Sequence, residues 1–106
     1  MTGYKGIKHD PLTKEEIEER YKEIQEELQI VLDWEKEEET KLKDPKTSPK
    51  KKEVAKRALR KVARRIDTVK GQIIYWKLRV QGQSHFRAGI EMNEYWASCR
   101  EKQDTS

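Results

Sequence analysis

The chain has few of the residues that catalysis, metal binding and disulfide bonding require. Its 106 residues include one cysteine, Cys99, and two histidines, His9 and His85. A single cysteine excludes a disulfide within the chain, and these three residues do not have the spacing of zinc ligands. No glycine-rich phosphate loop and no Glu-x-x-His pair of a di-metal bundle is present. We therefore predict that the protein is not an enzyme and has no catalytic residues, metal site or cofactor.

Long apolar runs are also missing. No stretch approaches the roughly 18 apolar residues that a transmembrane helix needs. The first residues, MTGYKGIKHDP, lack the apolar core of a signal peptide. Together with the single cysteine, these absences predict a reducing, cytoplasmic setting and no membrane partner.

The composition is that of long, exposed helices. Charged residues make up 42% of the chain, hydrophobic residues 33%, and the mean hydropathy is −1.17. Three tryptophans and four tyrosines argue against a disordered chain. The net charge of +4 is unevenly divided, because residues 1–44 carry 8 basic and 14 acidic side chains and residues 45–106 carry 16 and 6. Folding the two parts together would neutralise some of this charge.

The first helix is indicated by its start and by its apolar periodicity. Thr13 and Glu16 have the spacing of a capping box. Behind them, apolar residues recur in steps of four and three along one helical face, at Ile17, Tyr21, Ile24, Leu28 and Val31. The stripe fades through EKEEETK and returns at Leu42. The segment DPKTSP then ends the helix, since proline disfavours helical geometry in the residue before it.

A second helix begins after this break, with Ser48 as its N-cap and Pro49 at its first position. Its seam also steps by three and four, through Leu59, Val62, Ile66, Val69, Ile73, Trp76 and Val80. Gly71 lies opposite the seam, where it indicates a bend or a close helix contact. Gly82 ends the helix. A third segment has a broader stripe, formed by Phe86, Gly89, Met92, Trp96 and Cys99.

These patterns predict an all-α fold, a long antiparallel helical hairpin resembling a coiled coil plus a shorter third, C-terminal helix. We expect helices at about 14–43, 49–81 and 85–102, within a single helical domain at 12–106. Residues 1–11 are predicted to form a flexible N-terminal arm. The third helix folds back on the hairpin's open end or packs against another copy, and a polar chain of this kind is predicted to be a homo-oligomer.

Basic residues are concentrated in TSPKKKEVAKRALRKVARR, residues 47–65, where Glu53 is the single acid. On a helical wheel whose buried side is the seam, one group faces away from the first helix; we call it the basic stripe: Arg57, Arg60, Lys61 and Arg64. A lysine cluster leads into the stripe: Lys50, Lys51 and Lys52. Cations beside the seam, such as Arg65, can reach acids of the first helix, whereas the basic stripe cannot.

An outward cationic face of this shape predicts contact with a nucleic-acid backbone, without sequence reading. Two alternatives remain open at this point. The partner can be an acidic protein surface, or the stripe can be a solvated helix face with no partner, since Lys and Arg are good helix formers.

The aromatic residues suggest a different class of function. Trp34, Tyr95 and Trp96 are either packing anchors or hot spots of a protein interface. In the second case the protein would be an adaptor or inhibitor, of the kind phages and mobile elements encode, that covers a host protein surface with its helices. A self-assembling coiled-coil subunit is the third alternative.

Overall fold

The computed structural model describes residues 12–104, and their side chains as far as residue 101. This part of the chain contains three α-helices and no strand: α1 at Lys14–Lys43, α2 at Pro49–Val80 and α3 at His85–Asp104. The all-α fold predicted from the sequence is confirmed, with α1 and α2 forming the antiparallel hairpin. Helix α2 ends one residue earlier than predicted and α3 extends two residues further. The predicted flexible arm at residues 1–11 lies outside the described residues.

The start of α1 has the capping box that the sequence predicts. The Glu16 backbone N–H donates to Thr13 Oγ1 at 3.1 Å, and the Thr13 N–H donates to Glu16 Oε1 at 3.0 Å. The hydrogen bond from the Thr13 backbone lowers the pKa of the Glu16 carboxyl. The start of α2 also has the predicted cap. Ser48 accepts a hydrogen bond from the Lys51 N–H at 3.3 Å, and Pro49 occupies the first helical position.

The seam between α1 and α2 repeats every seven residues. On α1 the buried positions are Ile17, Ile24, Val31 and Glu38. On α2 the corresponding set is Ala55, Val62 and Val69, with Ile66 between the last two. Val31, Val62 and Ile66 pack together in the centre of the hairpin, and Leu28 and Leu32 cover them from the side. This is the heptad pattern of an antiparallel coiled coil.

Glu38 is a charged residue within this apolar seam. Its side chain is buried, and the Lys41 ammonium, one turn further along α1, lies 3.1 Å from its carboxylate. The Glu27–Arg65 ion pair and the packing of Val31 with Val62 fix the register of the hairpin. One heptad further along, Glu38 is level with Ala55. The seam between the helices therefore continues past the last apolar residue of the α1 stripe, because Glu38 occupies the next seam position opposite the small side chain of Ala55.

Helix α3 packs against α2 within the same chain, on the side away from α1. Trp96 lies on Gly71, and its indole Nε1–H donates to the Asp67 carbonyl oxygen at 3.2 Å. Nearer the turn, the Tyr75 hydroxyl and His85 Nδ1 are 2.5 Å apart. Among the described residues α1 and α3 do not pack on each other, so α2 is the middle helix. Gly71 thus marks a close helix contact, one of the two roles that its position opposite the seam predicts.

The turn between α2 and α3 depends on Gly82, whose φ is +94°. The Gly82 N–H donates to the Arg79 carbonyl at 3.0 Å and the Gln83 N–H to the Leu78 carbonyl at 2.9 Å. This pair of bonds is the Schellman motif, which needs a left-handed residue at Gly82's position. The chain then reverses direction and α3 runs back along α2.

One part of the predicted α3 stripe is wrong. Phe86 is 76% exposed, whereas Ala88 is fully buried. The buried face of α3 is therefore shifted by two residues near its start, where the turn sets the direction in which the helix leaves α2. Further along, Met92, Trp96 and Cys99 are half-buried, in agreement with the stripe.

Candidate nucleic-acid interface

The basic stripe occupies the face of α2 opposite the α1 seam. All four of its side chains are exposed: Arg57, Arg60, Lys61 and Arg64. Within residues 12–101, whose side chains the structure describes, none of them takes part in an ion pair. The neighbouring Arg65 behaves differently, because it lies on the flank of the seam and pairs with Glu27 of α1. The acidic α1 therefore neutralises a flanking cation and leaves the basic stripe uncompensated.

The lysine cluster forms the first turn of α2. Lys50 and Lys51 are exposed, Lys52 is half-buried, and this first turn contains no acid. A helix N-terminus carries a partial positive charge, so acids normally stabilise it and cations oppose it. Three lysines at this point add to the helix dipole, which makes this end of α2 a region of positive potential.

Helix α3 covers the continuation of the same face. The α2 residues nearest α3, Asp67, Thr68, Gly71 and Tyr75, share a side of the helix with the basic stripe. The stripe is consequently exposed only on the N-terminal half of α2, and it ends where the C-terminal end of α3 begins to cover it.

A groove lies at this junction, between the two helices. Its volume is about 410 Å³, and its lining residues come from both helices: Arg64, Asp67, Thr68, Trp96, Cys99 and Arg100. Arg64 belongs both to the groove and to the basic stripe. The sequence analysis did not identify Arg100 or the groove, and the available signal was Gly71, which marks the face of α2 that another helix approaches.

The three aromatic candidates do not form one surface. Trp34 lies on α1 with 41% of its surface exposed, whereas Tyr95 and Trp96 are half-buried between α3 and α2. Burial, with a hydrogen bond to Cys99, raises the pKa of the Tyr95 hydroxyl to about 12. Tyr95 and Trp96 therefore pack between α3 and α2, with part of Trp96 open to the groove, and Trp34 alone of the three is exposed.

Two further exposed apolar side chains lie on the same flank of the hairpin as Trp34. Ile30, one turn before it on α1, is 67% exposed, and Val54 on α2 is 59% exposed. Trp34 is seven residues from Glu27 and thus shares its flank, while Val54 lies on the flank of α2 that carries Arg65. We call Ile30, Trp34 and Val54 the apolar patch.

The chain matches no protein-family model, no curated protein and no solved structure. Within residues 12–104 no helix is long and apolar enough to cross a membrane. Among the side chains described, which extend to residue 101, no group of three or more His, Cys, Asp or Glu could hold a metal ion. The function must therefore be inferred from the charges and surfaces of the chain's own residues.

Proposed function

We propose that the protein is a non-enzymatic binding protein that holds a nucleic-acid backbone on the basic stripe, without reading its sequence. The observation that carries the proposal is the exposed face of Arg57, Arg60, Lys61 and Arg64, which makes no ion pair within the described residues. The proposal includes a cytoplasmic setting and self-association of the chain.

The dimensions of this surface suit a phosphate backbone. At 1.5 Å per residue, the distance along α2 from Lys50 to Arg64 is about 21 Å. Each strand of a DNA duplex advances about 3.4 Å per nucleotide along the duplex axis, so six or seven phosphates of one strand lie within that length. Arginine and lysine side chains are long enough to follow the curvature of the strand.

The energy of binding would come mainly from counterion release. Seven cations that each neutralise one phosphate give a slope of log K against log salt of about −6 on duplex DNA and about −5 on a single strand. A smaller slope would mean that only part of the surface is in contact with phosphates. An acidic protein surface would also respond to salt, so a nucleic-acid titration is needed to separate these two partners.

The test is a fluorescence polarisation titration against random-sequence duplex DNA, single-stranded DNA and RNA at low and moderate salt. The stripe variant changes Arg57, Arg60 and Arg64 to glutamate. The control variant changes three exposed lysines away from the stripe, Lys22, Lys36 and Lys77, to glutamate. Both variants carry the same change in net charge, so they separate the effect of position from that of total charge.

We expect the wild-type protein to bind in a salt-dependent way, the stripe variant to lose this binding, and the control variant to retain most of it. Equal losses in the two variants would mean that total charge, and not the stripe, attracts the nucleic acid. Absence of wild-type binding to all three ligands would reject the proposal.

The apolar patch favours a second candidate, an adaptor or inhibitor that covers a protein surface. Exposed Trp34, with Ile30 one turn before it on α1 and Val54 on the same flank of the hairpin, resembles an interface hot spot, in which a large aromatic side chain anchors the partner. A stable complex from a pull-down that persists at high salt and disappears with Trp34→Ala would support this function. A complex that is indifferent to Trp34→Ala would exclude the apolar patch as the contact.

A further inference from the structure

Contact with phosphates requires only exposed cations. The groove at the α2–α3 junction has further features, which are those of a ligand site. Its volume of about 410 Å³ is within the usual range of small-molecule sites. It adjoins the end of the basic stripe through Arg64. A strand that follows the stripe towards α3 would therefore reach the groove at its last contact.

Trp96 gives the groove a fixed aromatic wall. The indole packs on Gly71, and its Nε1–H is occupied by the Asp67 carbonyl. Because the ring's only donor is already used, the ring offers its apolar surface to a ligand and no hydrogen bond. Stacking on such a surface is tolerant of sequence, since every base has a π face.

The charged side chains divide the groove into two regions. Arg64 and Arg100 are exposed cations on its two helices, suited to phosphates. Asp67 is half-buried on the α2 wall, and its carboxylate would repel a phosphate but can accept hydrogen bonds from the N–H groups of a base. A neutral, planar ring inside and phosphates at the rim satisfy both regions.

We infer that this groove binds one unstacked nucleobase of a strand held on the basic stripe, and that the protein therefore prefers single-stranded to duplex nucleic acid. The inference rests on the proposed function. A base in a duplex is stacked and paired, so it cannot enter the groove without the cost of extrusion. A single strand can turn one base inwards freely.

Cys99 provides a direct probe, because it is the chain's only cysteine and it lines the groove. The full chain is treated with N-ethylmaleimide alone, with a saturating 12-nucleotide single strand of mixed sequence, or with the matching duplex. We expect the single strand to slow alkylation of Cys99 several-fold, measured by mass spectrometry, and the duplex to leave the rate unchanged.

Affinities of variants give the second readout. Arg100→Gln removes a groove cation outside the basic stripe, and Lys77→Gln removes one cation away from the groove as the matched control. We expect Arg100→Gln to weaken single-strand binding more than duplex binding, and Lys77→Gln to affect both equally. If Cys99 of the free protein does not react with N-ethylmaleimide, the affinities of Arg100→Gln and Lys77→Gln alone test the groove proposal.

The outcomes separate the two proposals. Binding that requires the basic stripe, but is equal for single strand and duplex and leaves Cys99 alkylation unchanged, overturns the groove proposal and keeps the proposed function. Absence of binding to either ligand rejects both.

Discussion

Gly71 offers the sharpest test of the fold, because two opposing effects of replacing it with alanine can be compared. Alanine is favoured over glycine within a helix by about 1 kcal/mol, which alone would stabilise α2. A Cβ at this position, however, would lie 2.5 Å from Cε2 and 2.8 Å from Cδ1 of the Trp96 indole. Carbon atoms pack at about 3.5–4.0 Å, so the ring would have to move.

The overlap outweighs the helical preference. Overpacking of this kind typically costs about 1–3 kcal/mol. Displacing the indole also breaks its hydrogen bond to the Asp67 carbonyl, which contributes about 0.5–1.5 kcal/mol. We therefore expect Gly71→Ala to lower the free energy of unfolding by about 1–3 kcal/mol.

The assay is urea denaturation followed by circular dichroism at 222 nm. Gly89→Ala is the matched control, because Gly89 lies within α3 and nothing lies within 4 Å of a Cβ built there. That substitution should stabilise the protein by about 1 kcal/mol. In a Trp96→Ala background the clash is absent, so Gly71→Ala should also become stabilising. Equal effects at both glycines, or no reversal of sign in that background, would refute the packing of Trp96 on Gly71.

Three further predictions concern stability. Replacing Glu38 with leucine removes a buried charge from the apolar seam and should raise the free energy of unfolding by about 1 kcal/mol or more in the same urea assay. A lower free energy of unfolding would mean that the ion pair with Lys41 stabilises the protein by more than the burial of Glu38 costs. Gly82→Ala should lower it by about 1 kcal/mol, because alanine is strained at a φ of +94°, whereas a neutral result would contradict the Schellman turn. Because the pKa of Tyr95 is raised in the folded protein, the unfolded chain loses the hydroxyl proton at a lower pH, and the free energy of unfolding should fall as pH rises from about 10 to about 12. Tyr95→Phe should reduce this fall in thermal melts recorded over a pH series. A profile that the substitution leaves unchanged would contradict the environment assigned to Tyr95.

The hairpin could be predicted from sequence because its apolar residues repeat with helical spacing on both helices. Val62 and Ile66 are part of that repeat, and they lie in the centre of the seam. Glu38 could not be placed in the same way, since a pattern of apolar and polar residues assigns a glutamate to the surface. Only the register of the hairpin shows that Glu38 is level with Ala55, whose short side chain leaves room for it.

The outward direction of Arg57, Arg60 and Arg64 follows from the helical wheel, and all three side chains are exposed in the structure. The groove beside them could not be predicted, because it depends on the path of α3. That path is set by the turn at Gly82, a position that the sequence indicates as a helix end, and by the packing of Trp96 on Gly71. The second is a long-range contact, which the broad apolar pattern of α3 does not specify. The exposed position of Phe86 has the same origin.

Because α3 lies on the same face of α2 as the basic stripe, the length of α3 limits the size of the binding site. On this face Arg64 already lines the groove with Arg100 of α3, so about 12 residues of α2, from Pro49 to Arg60, lie ahead of the groove, a distance of about 17 Å. One strand of a duplex lying along it can place about five nucleotides there before it meets α3. The occluded length per molecule is thus fixed by where one helix ends, and a chain with α3 shortened by two turns would protect a correspondingly longer segment.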